Sequence, residues 1–422
     1  MTSPQPSPTE FAAYVGIDWA NQKHTCSLRA ADSQRIENYE LDNTPEAVEK
    51  WAAELEQRFQ GRPIAVALEQ QRGALVALLS QYAHLVLHPV HPSTLDHYRK
   101  GFHPSGAKSD PADSDLLRDL LERHRDRLKP LKPDTEATRK LQFLVEGRRK
   151  LVDEKTGLSN RLTDTLKQIF PQVLRWFDDV ASPLVGDLLR RWPTLPDLQK
   201  AKPATVRDFL HQHNCRSEER TEQRLQAIQQ AVPATRDGAL LQAGSLAVES
   251  LVRLIAGLRD SIGRYDKVIA EITKAHPDFP IFDSLPGAGA ALAPRLIAAF
   301  GTDRDRFGNA ADLQCFTGIA PVVQSSGSQR WTHWRWACPK FIRQSVQEWA
   351  QHSIPRSVWA GEYYQQQRDG GSSHHAAVRA LAFKWLRILY RCWKDRKPYD
   401  EQIYLRSREK RLLPLPPTPA TT

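Results

Sequence analysis

The segment Lys108-Ser109-Asp110-Pro111-Ala112-Asp113-Ser114-Asp115 places two carboxylates three residues apart. Proline is favoured at the first position of a helix, so the pattern predicts that Asp110 is an N-cap and that the helix starts at Pro111. Residues three apart share one helix face, so Asp110 and Asp113 can point at the same spot. Two interpretations stay open here, because acids at a helix start also complement the helix dipole without any catalytic role.

Two further acids, Asp18 and Glu69, follow apolar runs that indicate strands. The run from 11 to 20 predicts a strand that ends at Asp18, and the run from 63 to 68 predicts a buried strand that delivers Glu69. Mg2+ and similar hard cations prefer carboxylate oxygens, and two of them about 4 Å apart can stabilise the attacking and leaving oxygens of a phosphodiester. Each acid also has a plainer explanation, Asp18 as a turn cap and Glu69 as a solvated helix start.

The elements that would bring these acids together are predicted in a defined order. After the first strand come strands at 25–31 and 35–41, a helix at 44–59, the strand at 63–68, a helix near 73–83, a strand at 85–90 and a loop that leads to Asp110. Three consecutive strands suit an antiparallel meander, and the later alternation suits parallel additions to the same sheet. This is the order of a ribonuclease H-like α/β domain, which we expect over residues 11–130.

A long helical region is predicted next, over residues 134–276. Its two main parts are an amphipathic helix at 134–170 and a helix at 245–276 whose apolar residues alternate four and three apart, as in a coiled-coil seam. The two helices could pair as an antiparallel coiled coil or could dimerise, and the sequence leaves this open. Between them, residues 171–243 predict an insertion of helical pieces that carries no recognisable motif.

Residues 277–405 predict a second, helical domain with two candidate sites for a phosphate. The turn Leu285-Pro286-Gly287-Ala288-Gly289 resembles a helix-hairpin-helix turn, in which Gly287 and Gly289 free backbone N–H groups to hold a phosphate. The run Ser325-Ser326-Gly327-Ser328 has the composition of a flexible loop. A serine there could instead attack a phosphate if nearby cations neutralise its charge.

The segment after this loop is dense in tryptophan and in cationic residues. Its tryptophans would suit either the core or a stacking surface for nucleobases. The cations that we single out as candidate nucleic-acid ligands are Arg330, Arg335, Lys340 and Arg343. A basic amphipathic helix at 375–393 follows, and the tails at 1–10 and 406–422 are expected to lie outside the folded domains.

The bulk composition narrows the class of protein. Lys plus Arg total 59 against 49 for Asp plus Glu, so the formal charge is +10 and a polyanionic partner is favoured. Five scattered cysteines without a Cys-x-x-Cys pair argue for a reducing cytoplasm and against a disulfide framework or structural zinc. We expect no signal peptide at the N-terminus and no membrane span, because the most apolar run is broken by Glu249 and Arg253.

Two blocks of motifs resemble the DEDD-type transposases of bacterial insertion sequences, relatives of the Piv DNA invertase that act as bridge-RNA-guided recombinases. The first block runs from Tyr14-Val15-Gly16-Ile17-Asp18 through His91-Pro92 to Lys108-Ser109-Asp110-Pro111-Ala112-Asp113. The second runs from Leu285-Pro286-Gly287 through Gly318-Ile319-Ala320-Pro321 and Ser325-Ser326-Gly327 to Pro398-Tyr399-Asp400. Both blocks stand in the order of that family.

The resemblance implies a bacterial, cytoplasmic, nucleoid-associated recombinase that acts on donor and target DNA with a guide RNA. It implies that Asp18, Glu69, Asp110 and Asp113 hold Mg2+, with Mn2+ as a substitute, in a RuvC-like domain. It also implies that Ser326, with Ser325 as the fallback, attacks DNA and forms a phosphoserine intermediate. A homo-oligomer is implied, a dimer that assembles to a tetramer, in which one subunit's acids join another's serine.

Two other hypotheses remain at this stage. The chain could be a RuvC-like nuclease or Holliday junction resolvase in which activated water attacks and the serine loop is inert, and hydrolysed ends without a covalent adduct would favour it. It could also be a binding protein whose acids merely cap helices. In that case Asp110→Asn would leave every activity unchanged and cost only about 1 kcal/mol of stability.

Overall fold

The computed structural model describes residues 11–102, 110–403 and 405–406, and the chain divides into two compact units, 1–133 and 134–422. The first unit is mixed α/β and the second consists mainly of helices. The N-terminal tail, most of the C-terminal tail, and Lys108 and Ser109 of the acidic segment lie outside the described residues.

The first unit is built on a five-stranded sheet with the order β3-β2-β1-β4-β5. Strands β1, β2 and β3 form an antiparallel meander, while β4 and β5 run parallel to β1. The predicted α/β class is confirmed, and this order is compatible with a ribonuclease H-like domain. The elements are β1 (Ala13–Asp18), β2 (Lys23–Ala30), β3 (Ile36–Asp42), α1 (Pro45–Arg58), β4 (Ile64–Leu68), α2 (Ala74–Leu79), β5 (Leu85–Pro89), α3 (Pro92–Phe102) and α4 (Asp110–Arg123).

The loop predicted before Asp110 is wrong, because α3 occupies most of it. A proline at the helix start fixes φ for the first turn, Leu95 is buried against the sheet, and Lys100 Nζ pairs with Asp96 Oδ2 one turn earlier at 2.8 Å. Helix α4 also begins at Asp110 itself, one residue earlier than predicted.

The two faces of the sheet carry side chains of different size. On β4, Ile64, Val66 and Leu68 belong to the core on one face, which also includes buried residues of α1 and α2. Ala65 and Ala67 belong to the core on the other face, together with the leucines of α4. The side that receives α4 is therefore lined by small residues at the centre of the sheet.

A row of small residues crosses three strands where α4 packs. Gly16 of β1 pairs with Ser27 of β2 and with Ala67 of β4. A Cβ placed on Gly16 would lie 2.1 Å from the carbonyl oxygen of Ser114 and 2.6 Å from the backbone nitrogen of Arg118. Glycine is thus required at this position, because the backbone of α4 lies directly on the backbone of β1.

The second unit consists of helices and one small β-hairpin. Its elements are α5 (Glu136–Ile169), α6 (Val173–Trp176), α7 (Pro183–Arg191), α8 (Leu195–Gln199), α9 (Pro203–Gln212), α10 (Glu218–Gln230), α11 (Gly238–Ala275), α12 (Phe279–Asp283), α13 (Gly289–Phe300), α14 (Ala310–Phe316), β6 (Val322–Ser326), β7 (Gln329–His333), α15 (Lys340–Ser353), α16 (Val358–Asp369) and α17 (His374–Lys394).

Helices α5 and α11 pair within the chain and run antiparallel. Thr138 Oγ1 lies 3.0 Å from His276 Nε2 at one end of the pair, and Ile169 packs on Gly244 at the other end. Of the two arrangements that the sequence left open, the structure contains the antiparallel pair. Helix α11 is long and apolar enough by length and composition to cross a membrane. A single helix of this kind is weak evidence for a span, and Leu251 of α11 is buried in the core that α5 shares.

The close contact of α4 with β1 predicts a large effect of Gly16→Ala. The added Cβ would overlap backbone atoms that have no rotamer to escape to, so we expect a loss of several kcal/mol in the free energy of unfolding. Gly101→Ala is the matched control, because a Cβ at this position in α3 meets no atom within 4 Å. Thermal melting of both variants is the measurement, and equal melting temperatures would contradict the packing described here.

The buried His276 predicts a pH dependence of stability. Burial lowers its pKa, although Asp278 and Asp134 act in the opposite sense, and its Nδ1 accepts a hydrogen bond from the Asp278 backbone N–H at 3.1 Å. As the pH falls, His276 therefore takes up a proton in the unfolded chain more readily than in the folded one. The free energy of unfolding consequently decreases below about pH 6.5.

We expect His276→Gln to weaken this decrease between pH 8 and pH 5.5, because the group that takes up a proton in the unfolded chain is removed. Denaturant titrations at the two pH values provide the measurement. His375→Gln is the control, because His375 is exposed, and it should keep the full decrease of the wild type. A pH dependence that His276→Gln leaves unaltered would exclude His276 as its source.

Candidate active site

The direction of α4 decides which end of the sheet receives its first turn. Ser114 lies over Gly16 in the middle of β1, and Arg125, just beyond α4, reaches Tyr14 near the start of β1 with Nη1 3.3 Å from Oη. The helix therefore runs antiparallel to β1. Its N-terminal turn, with Asp113, lies toward the end of β1 where Asp18 stands.

Asp18 and Glu69 stand at the carboxyl ends of neighbouring parallel strands. Ile17 pairs with Leu68, so Asp18 and Glu69 are the next residues of the two chains at the same edge. Both are half-buried. Alternation along a strand places Asp18 on the face of Gly16, which is the face that α4 covers. The structure thus brings the two acids to the edge that the sequence predicted.

Of the two candidate acids on α4, the structure describes the side chain of Asp113 but not that of Asp110. Asp113 is buried, with 3% of its surface exposed, and Arg99 of α3 donates to its Oδ1 from Nε at 2.9 Å and from Nη2 at 2.6 Å. Asp110 is the first residue of α4, and its side chain lies outside the described part. Among the described residues, no three His, Cys, Asp or Glu side chains gather closely enough to hold a metal ion.

A polar network on β2 fixes the rotation of α4 about its own axis. The Ser27 hydroxyl, fully buried, donates to Asp115 Oδ1 at 2.5 Å and accepts from Arg118 Nε at 2.9 Å. Arg29 pairs with Glu122 two turns further along α4. The sequence analysis missed this network, although a glycine inside a buried strand is a known sign of close backbone approach.

The serine run predicted as a flexible loop forms a β-hairpin, so that prediction is wrong. Strands β6 and β7 pair in register from Val322 with His333 to Ser326 with Gln329. Gly327 has φ +57 at the first position of the two-residue turn, which only glycine adopts readily. Composition alone suggested a loop because serine and glycine are common in turns. Here only Gly327 and Ser328 form the turn, and the two serines before them belong to a strand.

The two candidate serines point to opposite faces of the hairpin. Ser325 stands directly across from Arg330, while Ser326 stands across from Gln329. Because side chains alternate along a strand, Ser326 shares its face with Gln324, whose Oε1 accepts from Trp331 Nε1 at 2.6 Å. Both serines are exposed. One serine therefore has a cationic neighbour across the ladder, and the other has a polar and aromatic face.

The base of the hairpin is fixed to its own unit by arginines. Arg335 Nε donates to the carbonyl of Ala320 at 3.0 Å, and Arg343 Nη1 donates to the carbonyl of Arg335 at 3.1 Å. The Trp334 ring is contacted by the guanidinium groups of Arg343 and Arg379, at 4.9 and 4.3 Å from its centroid. Of the four cations predicted as nucleic-acid ligands, Arg330 and Lys340 are exposed, while Arg335 and Arg343 are half-buried in these contacts.

The glycine turn before α13 is held by close packing. Gly287 has φ +81, and a Cβ there would lie 2.5 to 2.7 Å from backbone atoms of His352 and Ser353 at the end of α15. Trp349 Nε1 donates to the carbonyl of Pro286 at 3.1 Å. Gly289, the first residue of α13, has φ +52 and open space around the position of a Cβ. These contacts explain Gly287 by packing, whatever else the turn binds.

Comparison with known proteins finds two matching regions, of which the second ends before Pro398-Tyr399-Asp400. Residues 15–171 match a family model described as a DEDD-type IS110 transposase, and residues 280–365 match one described as a transposase of the IS116/IS110/IS902 family. The first match covers the acidic edge and the second covers the serine hairpin.

Full-length relatives show the same likeness. The chain is 26% identical over 408 residues to a mini-circle putative transposase for IS117 of Streptomyces coelicolor, a match that covers 93% of this chain and 96% of the relative. It is also 26% identical over 395 residues to an uncharacterized 42 kDa protein of insertion element IS900 of Mycobacterium paratuberculosis, covering 92% and 96%. A shorter match, 27% over 209 residues, is to the putative transposase y4uE of Sinorhizobium fredii, covering 48% and 57%.

The arginine contacts at the hairpin base predict where the hairpin loses protection. Arg335→Met keeps the length of the side chain but removes its donors, so we expect amide hydrogen exchange in residues 322–333 to become about tenfold faster. Arg330→Met is the matched control, because Arg330 is exposed on β7, and exchange should stay at the wild-type rate. Equal exchange rates in the two variants would show that Arg335 does not stabilise the hairpin.

Proposed function

The chain belongs to the DEDD-type transposases of the IS110 family, enzymes that cut DNA and transfer strands, and we propose that it does so as an RNA-guided, site-specific recombinase. The single observation that carries the proposed metal-dependent strand chemistry is the acidic edge of the first unit, while guidance by an RNA rests on the family resemblance alone. Asp18 and Glu69 end neighbouring parallel strands, and a glycine contact directs the first turn of α4 toward the same end. In this proposal the first unit is a ribonuclease H-like, specifically RuvC-like, domain.

The proposed metal ligands are Asp18, Glu69, Asp110 and Asp113, and the proposed ion is Mg2+, replaceable by Mn2+. Oxygen donors of this kind suit a hard divalent cation. The position of Asp113 supports the proposal, because the first turn of α4 lies toward the end of β1 where Asp18 stands. When bound, such ions would stabilise the attacking and leaving oxygens of a phosphodiester. The chain's own part is to bring Asp18, Glu69 and the first turn of α4 to the same edge of the sheet.

The proposed nucleophile is Ser326, with Ser325 as the fallback. Its hydroxyl would give up a proton to solvent and its oxygen would bond to the phosphorus. The bond from phosphorus to a deoxyribose oxygen would break, and that oxygen would leave with the other strand end and take up a proton, which gives a phosphoserine ester. One observation supports the location of both serines, since the hairpin presents them to solvent on a base that arginines contact. Arg330 lies across the ladder from Ser325, where it can contact a phosphate, so this cation supports the fallback and not Ser326.

The proposed partners are donor and target DNA, a guide RNA and further copies of the chain. A formal charge of +10 favours polyanions, and the family membership implies DNA. The acids and the serines belong to different compact units. In the proposed oligomer, a dimer that assembles to a tetramer, the acidic edge of one subunit would act together with the serine hairpin of another.

A covalent adduct tests the proposal. Incubation of the protein with guide RNA, labelled donor DNA and Mg2+ should give a protein–DNA adduct that survives denaturation. We expect Ser326→Ala to lower its yield by several orders of magnitude, because the attacking atom is removed. Ser325→Ala is the matched control one residue away, and it should retain most of the adduct.

The outcomes separate the competing mechanisms. Hydrolysed ends without adduct would favour attack by water and leave the serines without a catalytic role. An adduct that survives in both serine variants would contradict the nucleophile but not the metal site. Asp18→Asn should abolish cleavage in either case, and full cleavage by that variant would contradict the acidic edge as the active site.

A further inference from the structure

Arg99 and Asp113 form an ion pair that the proposed chemistry does not use. The guanidinium donates twice to the same carboxylate oxygen, from Nε and Nη2 to Oδ1. Only 12% of the Arg99 side chain and 4% of the Asp113 side chain are exposed. A carboxylate oxygen has two lone pairs, so these two bonds use the acceptor capacity of Oδ1.

A second partner for Arg99 lies on its own helix. Arg99 Nη1 is 3.6 Å from Asp96 Oδ1, three residues earlier in α3, and Asp96 is 44% exposed at its side chain. Arg99 thus stands between a buried carboxylate of α4 and a partly exposed carboxylate of α3 whose other oxygen pairs with Lys100. A small change in its side-chain torsions would move its charge from the first carboxylate to the second.

The element that carries Arg99 is held to α4 independently of this pair. Tyr98 Oη donates to Asp119 Oδ2 at 2.7 Å, and Leu95 is buried in the same core as the α4 leucines. Release of Asp113 by Arg99 therefore does not require α3 to leave α4. The pair can open as a local event.

We propose that Arg99 competes with the divalent cation for Asp113, so that metal loading requires Arg99 to transfer from Asp113 to Asp96. This inference rests on the proposed metal site and adds a residue to it. A guanidinium on Oδ1 blocks one ligand atom and repels a second cation nearby. It also satisfies the buried charge of Asp113 until a metal does so. Arg99 is a positioning residue in this scheme, because it acts through Asp113.

The test is Mn2+ binding to the full-length protein, with free Mn2+ measured by electron paramagnetic resonance. We expect Arg99→Gln to lower the Kd for Mn2+ about tenfold, which corresponds to removal of about 1.4 kcal/mol of competition. The same variant should melt at a lower temperature without metal and gain more from added Mn2+ than the wild type does. Arg99→Lys keeps the charge but cannot form the forked contact, so its Kd should lie between those of the wild type and Arg99→Gln. It also provides the test if Arg99→Gln does not fold.

Two controls separate competition from a purely structural role. Tyr98→Phe removes a neighbouring contact between α3 and α4 and should leave the Kd unchanged. In an Asp113→Asn background, Arg99→Gln should no longer tighten binding, since the contested carboxylate is gone. An unchanged or higher Kd in Arg99→Gln overturns the inference while the metal site stands. Failure of the wild type and Arg99→Gln alike to bind Mn2+ overturns both, and binding by Arg99→Gln alone supports the competition.

Discussion

The contact between the backbones of β1 and α4 at Gly16 is the constraint on which the first unit depends. It sets the height of α4 above the sheet, and the neighbouring Ser27 and Ala67 let the helix lie across three strands. The buried hydrogen bonds of Ser27 then fix how α4 is rotated. Height and rotation together decide where the first turn of α4, and so Asp113, is placed relative to the strand ends.

Most of the fold of this unit could be predicted from the apolar runs that mark its strands. The meander, the two parallel strands and the positions of Asp18 and Glu69 follow from apolar runs and the residues that end them. Helix α3 was not predicted because its apolar residues are few among polar ones and give only a weak helical pattern. The role of Arg99, which lies on this helix, was therefore not predicted either. A pair such as Arg99 with Asp113 depends on how two helices pack, which one-dimensional patterns do not contain.

In the second unit, the sequence predicted the individual long helices but not how the elements pack together. Its long helices were predicted from heptad spacing. That spacing does not say which helix packs against which, because the pairing is part of the tertiary structure. The hairpin was missed because Ser-Ser-Gly-Ser has no alternation of polar and apolar residues. Its strands are exposed on both faces, so burial leaves no pattern of alternating apolar residues in the sequence.

The pairing of the hairpin has a consequence for how this part of the chain can diverge. Deletion or insertion of one residue in β6 would reverse the faces of the side chains on one side of the change relative to those on the other side. A serine that faces the polar and aromatic side would then face the cationic side, although both hydroxyl groups remain in the sequence. The face on which each serine stands therefore depends on the length of this segment as strictly as on its composition.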